Sequence, residues 1–166
     1  VISGGQSFFE RTEIKDIIAS LRLLTNQEDD PAFIRAVTTP KRGIGGSTLE
    51  ALGLAAGRRR QSLFATLLSP MLGDDLPVRQ HTALREFSGF IQRMEERAKN
   101  EPAGALLTAI IDAIGYETWL FGSLDVRDAE TRWANVCDFV QWIAKKGEEE
   151  NKTLLNQSKL IKMIMD

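Results

Sequence analysis

The sequence has few of the residues that metal centres, catalytic triads and nucleotide sites require. Its 166 residues include one cysteine, Cys137, and one histidine, His81. A single cysteine cannot form an intrachain disulfide or a C-x-x-C ligand pair, and a single histidine cannot supply a histidine cluster for zinc. The phosphate-binding motifs G-x-x-x-x-G-K-[ST] and G-x-G-x-x-G are both absent. We therefore predict no catalytic residue, no metal and no cofactor in this chain.

The chain also lacks a large excess of one charge, a signal-peptide pattern and an apolar run of membrane-spanning length. Its formal net charge is -2, so any contact with nucleic acid must come from a local basic patch. With one cysteine and no targeting segment, a reducing, cytoplasmic location is the simplest interpretation. A hydrophobic content of 43% over 166 residues is enough for one domain with a core.

No partnered strand with an alternating apolar and polar pattern is found, although "VISGG" at residues 1–5 looks like the end of a buried strand. The chain also begins without methionine, so we interpret it as a piece of a larger protein. Apolar residues recur at three- and four-residue spacing, which predicts an all-α fold. The predicted helices cover residues 11–25, 30–39, about 47 onward, 62–68, 78–99, 102–114, 116–122, 128–146 and 154–164, with an acidic loop at 148–150.

Two of the predicted helices begin with capping signals. Asp30 precedes a proline and is predicted to cap a helix that turns Ile34 and Val37 toward the core. Ser47 and Glu50 have the S-x-x-E spacing of a capping box, in which the serine side chain accepts a hydrogen bond from the first helical turn. These signals predict one helix that ends before residue 40 and another that begins near residue 47.

The segment between these two helices combines glycines with cations. The sequence "TTPKRGIGGSTLEAL" runs from Thr38 to Leu52 and places Gly-Ile-Gly directly before the second helix. Glycines let the backbone approach a phosphate, and a helix N-terminus is partly positive, so the pattern resembles a helix-hairpin-helix. Residues 35 to 60 contain six cations and one acid, a local excess of five positive charges. The candidate DNA-binding residues are Thr39, Lys41, Arg42, Gly43, Ile44, Gly45, Gly46, Ser47 and Thr48.

A purely structural interpretation accounts for the same pattern. Gly-Ile-Gly between two helices can be a tight turn in which Ile44 is a hydrophobic plug. The cations Arg58 to Arg60 can form a solvated helix end, where positive charge is favoured by the helix dipole. The pattern by itself leaves both interpretations open.

A longer match accompanies this segment. The stretch from Gly4 to Gly53 is "GGQSFFERTEIKDIIASLRLLTNQEDDPAFIRAVTTPKRGIGGSTLEALG". It resembles the Rep/UvrD/PcrA family of superfamily 1 DNA helicases, in which a G-G-x-x-F-F-x-R-x-E-I-K-D block leads into N-T-P-x-R-G-I-G. Thr38 stands where that pattern has asparagine. The remainder, with "ALLTAIIDAIGYETWL" and "RWANVCDFVQWI", looks most like the Rep branch.

The resemblance implies a place for the chain within a larger enzyme. Residues 1–28 would be the edge of the RecA-like motor domain 2A, and residues 29–166 would be the helical accessory subdomain 2B. The whole helicase would use ATP and magnesium to unwind duplex DNA in the 3′ to 5′ direction in the bacterial cytoplasm. The motor motifs lie outside this segment in the family, so the chain alone should be inactive.

The resemblance also implies what subdomain 2B would do. It would contact the duplex backbone through the Gly-Ile-Gly hairpin, regulate the motor, and receive the other helicase subdomains or replication and repair proteins as partners. Two alternatives are a free-standing helix-hairpin-helix DNA-binding protein and a protein-interaction module. Salt-sensitive binding to duplex DNA would distinguish a DNA-binding chain from an interaction module.

Overall fold

The computed structural model describes residues 6–69, 76–150, 153 and 154, and these residues form an all-α fold. The predicted fold class is confirmed for this part of the chain. The strand expected at residues 1–3 lies outside the described residues, as does the predicted last helix beyond Leu154. The helices are α1 (Gln6–Phe9), α2 (Thr12–Thr25), α3 (Asp30–Thr38), α4 (Gly46–Arg59), α5 (Leu63–Leu67), α6 (Val78–Ala98), α7 (Ala103–Ile114), α8 (Tyr116–Ser123) and α9 (Val126–Glu150).

The helix α2 is the centre of the packing, because it contacts α3, α6 and α9. Its predicted apolar face is buried, as the three- and four-residue spacing requires. The charged positions Glu13 and Asp16 are also buried, each about 4% exposed. The buried residues of all the large helices form one continuous hydrophobic cluster, so the described residues share a single core.

The two buried carboxylates of α2 are satisfied by partners from three other helices. Asp16 accepts a 2.6 Å hydrogen bond from the Tyr116 hydroxyl and a 2.8 Å bond from Arg35. Glu13 accepts a 2.8 Å bond from the Asn135 side chain. Burial, reinforced by the hydrogen bond to Asp16, raises the pKa of Tyr116, so the tyrosine stays a neutral donor. Because a buried carboxylate is tolerated only when it is paired, this network fixes α3, α8 and α9 against α2.

The helix α3 begins one residue earlier than the capping signal predicted. The cap is Asp29, whose Oδ1 accepts a 3.1 Å hydrogen bond from the Ala32 amide. Asp30 is the first helical residue, and its Oδ1 instead accepts a 3.0 Å bond from the Leu63 amide, which ties α3 to the start of α5. The sequence pattern predicted Asp30 as the cap, whereas its side chain contacts the start of α5 in the structure.

The inner face of α3 also differs from the prediction. Val37 is buried as expected, but Ile34 is 43% exposed and lies on the outer face. The buried positions Phe33, Ala36 and Val37 follow the spacing of one helical face, and Ile34 lies outside that face.

The long helix α9 continues through the predicted acidic loop and ends at Glu150. The prediction of a loop at 148–150 was therefore wrong; glutamate is a good helix former, and Gly147 does not end the helix. The helix α9 packs closely on α7 at Gly104, where an added Cβ would stand 2.4 Å from the Cβ of Ala144. Among the described residues no single helix is both long and apolar enough to cross a membrane; α7 and α8 pass that test only together, across a bend of 49°.

Candidate nucleic-acid interface

The α3–α4 connection, residues 39–45, exposes its glycines and is held from inside by the buried side chains of Pro40 and Ile44. Lys41, Gly43 and Gly45 are exposed, whereas Ile44 is only 6% exposed and reaches the core. The hydrophobic plug that the structural interpretation expected is therefore present. Anchoring Ile44 inward leaves the backbone on either side of it facing solvent.

The two glycines that flank Ile44 have different conformational roles. Gly43 has a φ of 79°, a left-handed conformation that strains residues with a Cβ. Gly45 has an extended backbone with a φ of -107°, and an added Cβ would meet nothing within 4 Å. Gly43 is therefore required by the backbone, whereas nothing inside the chain requires Gly45 to be a glycine.

The start of α4 is open, because no side chain caps it. Gly45 is the N-cap residue and α4 begins at Gly46, with no side-chain hydrogen bond at the cap. The predicted capping box is wrong: Ser47 lies one residue inside the helix and is exposed, so it is not in the N-cap position. Within the described part of the chain, no side chain accepts from the first-turn N–H groups, and an uncapped helix N-terminus of this kind can bind anions.

The remaining candidate DNA-binding residues near the start of α4 include both exposed and buried positions. Gly46 and Ser47 are exposed, Thr39 is half-buried, and Thr48 is only 2% exposed. The Thr48 side chain therefore belongs to the packing of α4, and only the exposed positions can present side chains or backbone to a large ligand.

The two cations of the connection are not equivalent. Lys41 is exposed, but the Arg42 guanidinium carbon lies 4.9 Å from the centroid of the Phe87 ring. The Arg42 Nε is buried without a hydrogen-bond partner among the described residues, and this burial lowers the pKa of Arg42. The sequence pattern predicted that both residues bind phosphate. In the structure, Arg42 instead points toward the core.

The other cations of the predicted patch lie elsewhere. Arg35 pairs with the buried Asp16 at 2.8 Å, so its charge is offset inside the fold. Arg58 and Arg59 occupy the last turn of α4, and Arg60 is its C-cap residue. A helix of 14 residues is about 21 Å long, so these three arginines lie at the opposite end of α4 from the connection. The excess of five charges counted along the sequence is therefore not one surface patch.

The histidine and the cysteine that the sequence analysis named each contact neighbouring residues of the fold. His81 is half-buried, and its Nε2 accepts a 3.3 Å hydrogen bond from Arg85. Cys137 lines a crevice with Ile111 and Trp133, and burial raises the pKa of its thiol, so it stays protonated. Within the described ranges no three histidine, cysteine or acidic side chains are grouped as metal ligands.

Comparisons with known proteins give the chain its relatives. All 166 residues match the family model described as the UvrD-like helicase C-terminal domain. The chain is 42% identical over 145 residues to the ATP-dependent DNA helicase Rep of Salmonella typhimurium (strain LT2), covering 87% of this chain and 21% of that protein. It is 41% identical to Escherichia coli (strain K12) Rep, with the same coverage.

The ATP-dependent DNA helicase PcrA of Bacillus subtilis (strain 168) is more distant, at 32% identity over 157 residues, covering 93% of this chain and 21% of that protein. The chain spans about a fifth of the length of the curated relatives that it matches.

Proposed function

Because the chain belongs to the family of UvrD-like helicase C-terminal domains, we propose that it is subdomain 2B, with an edge of motor domain 2A, of an ATP-dependent DNA helicase. The whole enzyme would unwind duplex DNA in the 3′ to 5′ direction in the cytoplasm of a bacterium. The higher identity to Rep than to PcrA favours the Rep branch. ATP and magnesium would be held outside this chain, since its sequence contains neither phosphate-binding motif.

The boundary between the two proposed parts stays at residues 28 and 29. The helix α2 lies before that boundary and packs against α3, α6 and α9, which lie after it. In this proposal α2 is therefore the element through which the first part packs against the accessory subdomain.

The chain's own role in the proposal is contact with the backbone of duplex DNA. The observation that carries it is the open start of α4, where bare backbone and uncapped N–H groups face solvent beside Lys41. Phosphate oxygens are the acceptors that such a site favours, and backbone contact carries no sequence information. A motor that must act on any sequence needs contacts of this kind.

The proposed contact residues are the exposed ones. Lys41 would supply charge, and the backbone from Gly43 to Ser47 would supply N–H donors. Ile44 and Thr48 would support this surface from inside, because both side chains are buried. Thr39 would flank the contact at the end of α3.

A titration of the 166-residue chain with fluorescent duplex DNA between 50 and 200 mM salt tests the proposal. With Lys41 as the one cation of the proposed contact, binding should be weak, with a log-log salt slope of about -1. Lys41→Ala should make that slope shallower by about 0.9. Arg127→Ala is the matched control, because Arg127 is exposed on α9, a helix that packs against α2, α7 and α8.

Three outcomes would overturn this function. Duplex binding without salt dependence, or no binding at all, would leave a protein-interaction module as the better interpretation. An equal change of slope in Lys41→Ala and Arg127→Ala would mean that charge binds DNA without a defined site. A free-standing DNA-binding protein is distinguished by the parent gene, which would then encode no motor domain beside this chain.

A further inference from the structure

Arg42 joins the exposed connection to a row of aromatic rings in the core. Its guanidinium lies over Phe87 of α6, which is only 2% exposed. Phe87 meets Phe33 of α3 edge to face at 5.7 Å, and Phe33 meets Phe64 of α5 at 6.2 Å. Arg42 therefore lies at one end of a row of rings that three helices contribute.

Among the described residues, the partner of the Arg42 charge is this ring and not an acid. The structure gives it no ion pair with any described residue, and its Nε is buried without an acceptor. A cation over an aromatic face gains most when water is removed, so the burial that lowers its pKa also strengthens its attraction to Phe87. A side chain held in this way is poorly placed to turn outward to a phosphate.

The connection is thus fixed to the core on both sides of Gly43. Arg42 precedes it and lies on Phe87, and Ile44 follows it and is buried. With both neighbours fixed, Gly43 takes its left-handed conformation and the chain enters α4 with its backbone exposed.

We propose that Arg42 is a positioning residue: through Phe87 it holds the connection in the conformation that presents the start of α4 to phosphate. Lys41 alone supplies the ionic contact from this pair. The inference rests on the proposed function for its DNA ligand, but the clamp between Arg42 and Phe87 can be tested without DNA.

The salt slope separates positioning from contact. Losing a phosphate contact makes the slope shallower by about 0.9, whereas shifting a conformational equilibrium multiplies affinity by a factor that salt does not change. We expect Arg42→Met, which keeps the stem, and Phe87→Leu, which keeps apolar volume, each to weaken duplex binding roughly five-fold at unchanged slope. The double variant should be no weaker than either single one, and Arg42→Lys should recover part of the affinity.

Three results would overturn the inference: a slope change in Arg42→Met equal to that of Lys41→Ala, independent effects in the double variant, or wild-type affinity in Arg42→Met. Helical circular dichroism checks that each variant is folded. If Phe87→Leu does not fold, the slope of Arg42→Met against that of Lys41→Ala still decides between the two roles.

Nuclear magnetic resonance of the free chain tests the contact between Arg42 and Phe87 separately from DNA binding. The ring current of Phe87 should shift the Arg42 Nε–H resonance upfield in the free chain. Arg42→Met and Phe87→Leu should each move the amide resonances of Gly43 and Gly45 in the same direction. The clamp between Arg42 and Phe87 would be contradicted if the Arg42 Nε–H resonance showed no upfield shift. It would also be contradicted if the amide resonances of Gly43 and Gly45 did not move in either variant, even if the chain binds DNA. No binding by the wild-type chain would contradict the proposed function alone.

Discussion

The starts of α3 and α4 differ in almost every feature that closes a helix N-terminus. At α3, Asp29 caps the Ala32 amide and pairs with Arg22 at 2.9 Å, and Asp30 accepts from the Leu63 amide. At α4 the cap residue is Gly45, no side chain of the described ranges accepts from the first turn, and the neighbouring glycines are exposed.

The contrast shows one helix start that is satisfied within the fold and another that carries no side-chain cap among the described residues. A side-chain cap contributes about 1 kcal/mol relative to alanine, but a glycine cap is only a few tenths of a kcal/mol weaker, so Gly45 leaves this start without a side-chain acceptor at a small loss of stability. The start of α3 is satisfied within the fold. The start of α4 keeps its donors available, as a phosphate site requires.

The largest expected effect is at the closed end. Asp29→Ala removes the cap of α3 and the ion pair with Arg22, so we expect a loss of about 2 kcal/mol in the free energy of unfolding. Urea denaturation measures the loss, and duplex affinity should stay at the wild-type value. Asp29→Asn is the matched control, because asparagine caps as well as aspartate and loses only the charge. Weakened DNA binding by a folded Asp29→Ala chain would contradict the expectation that the start of α3 serves stability alone.

A smaller loss of stability is expected at Gly43. Alanine at a φ of 79° is strained, so Gly43→Ala should cost about 1 kcal/mol and should also weaken duplex binding. Gly115 provides the control, because it has a φ of 68° at the C-cap of α7, far along the chain from the proposed contact. Gly115→Ala should lower the thermal midpoint similarly while leaving duplex affinity unchanged. Equal losses of affinity in both variants would mean that DNA binding only follows stability.

A substitution at Gly45 should weaken DNA binding while leaving the free energy of unfolding almost unchanged. Threonine caps a helix about as well as glycine and meets open space here, so Gly45→Thr should change stability by only a few tenths of a kcal/mol. Its side chain would keep a phosphate away from the backbone, and we expect duplex affinity to fall two- to five-fold in fluorescence titrations. The control is Gly53→Ala on the exposed face of α4, which should stabilise the helix without affecting DNA. Unchanged affinity in Gly45→Thr would show that close backbone approach is not needed.

The sequence predicted the helices well because their signals are local. The spacing of apolar residues placed α2 and α6 to within one residue, and the match to the family motifs is confirmed by the comparisons. The site was predicted less completely, because its geometry depends on distant partners. Arg42 is turned inward by Phe87 and Arg35 by Asp16, and no spacing rule reveals a contact between residues 45 or 19 positions apart.

The capping errors at α3 and α4 have a related origin. At both starts the N-cap residue lies before the one that the sequence pattern predicted. At α3 the packing of Asp30 on α5 leaves Asp29 as the cap. At α4 the left-handed Gly43 and the buried Ile44 bring the chain into the helix at Gly46, before the serine that the motif favoured.

The smallest expected effect is at Ser47, and it tests this account of the open helix start. Were Ser47 the cap that the sequence pattern predicted, Ser47→Ala would cost about 1 kcal/mol. Because Ser47 is exposed inside the first turn and caps nothing, the change in unfolding free energy should stay within about 0.5 kcal/mol. Ser62→Ala is the control, since the Ser62 hydroxyl does accept from the Ala65 amide at 3.1 Å and its loss should be measurable by urea denaturation. Duplex affinity of Ser47→Ala should remain near wild type, because the proposed donors are backbone N–H groups that the substitution keeps. A loss of stability equal to that of Ser62→Ala would mean that α4 is capped in solution, and its start would then be as closed as that of α3.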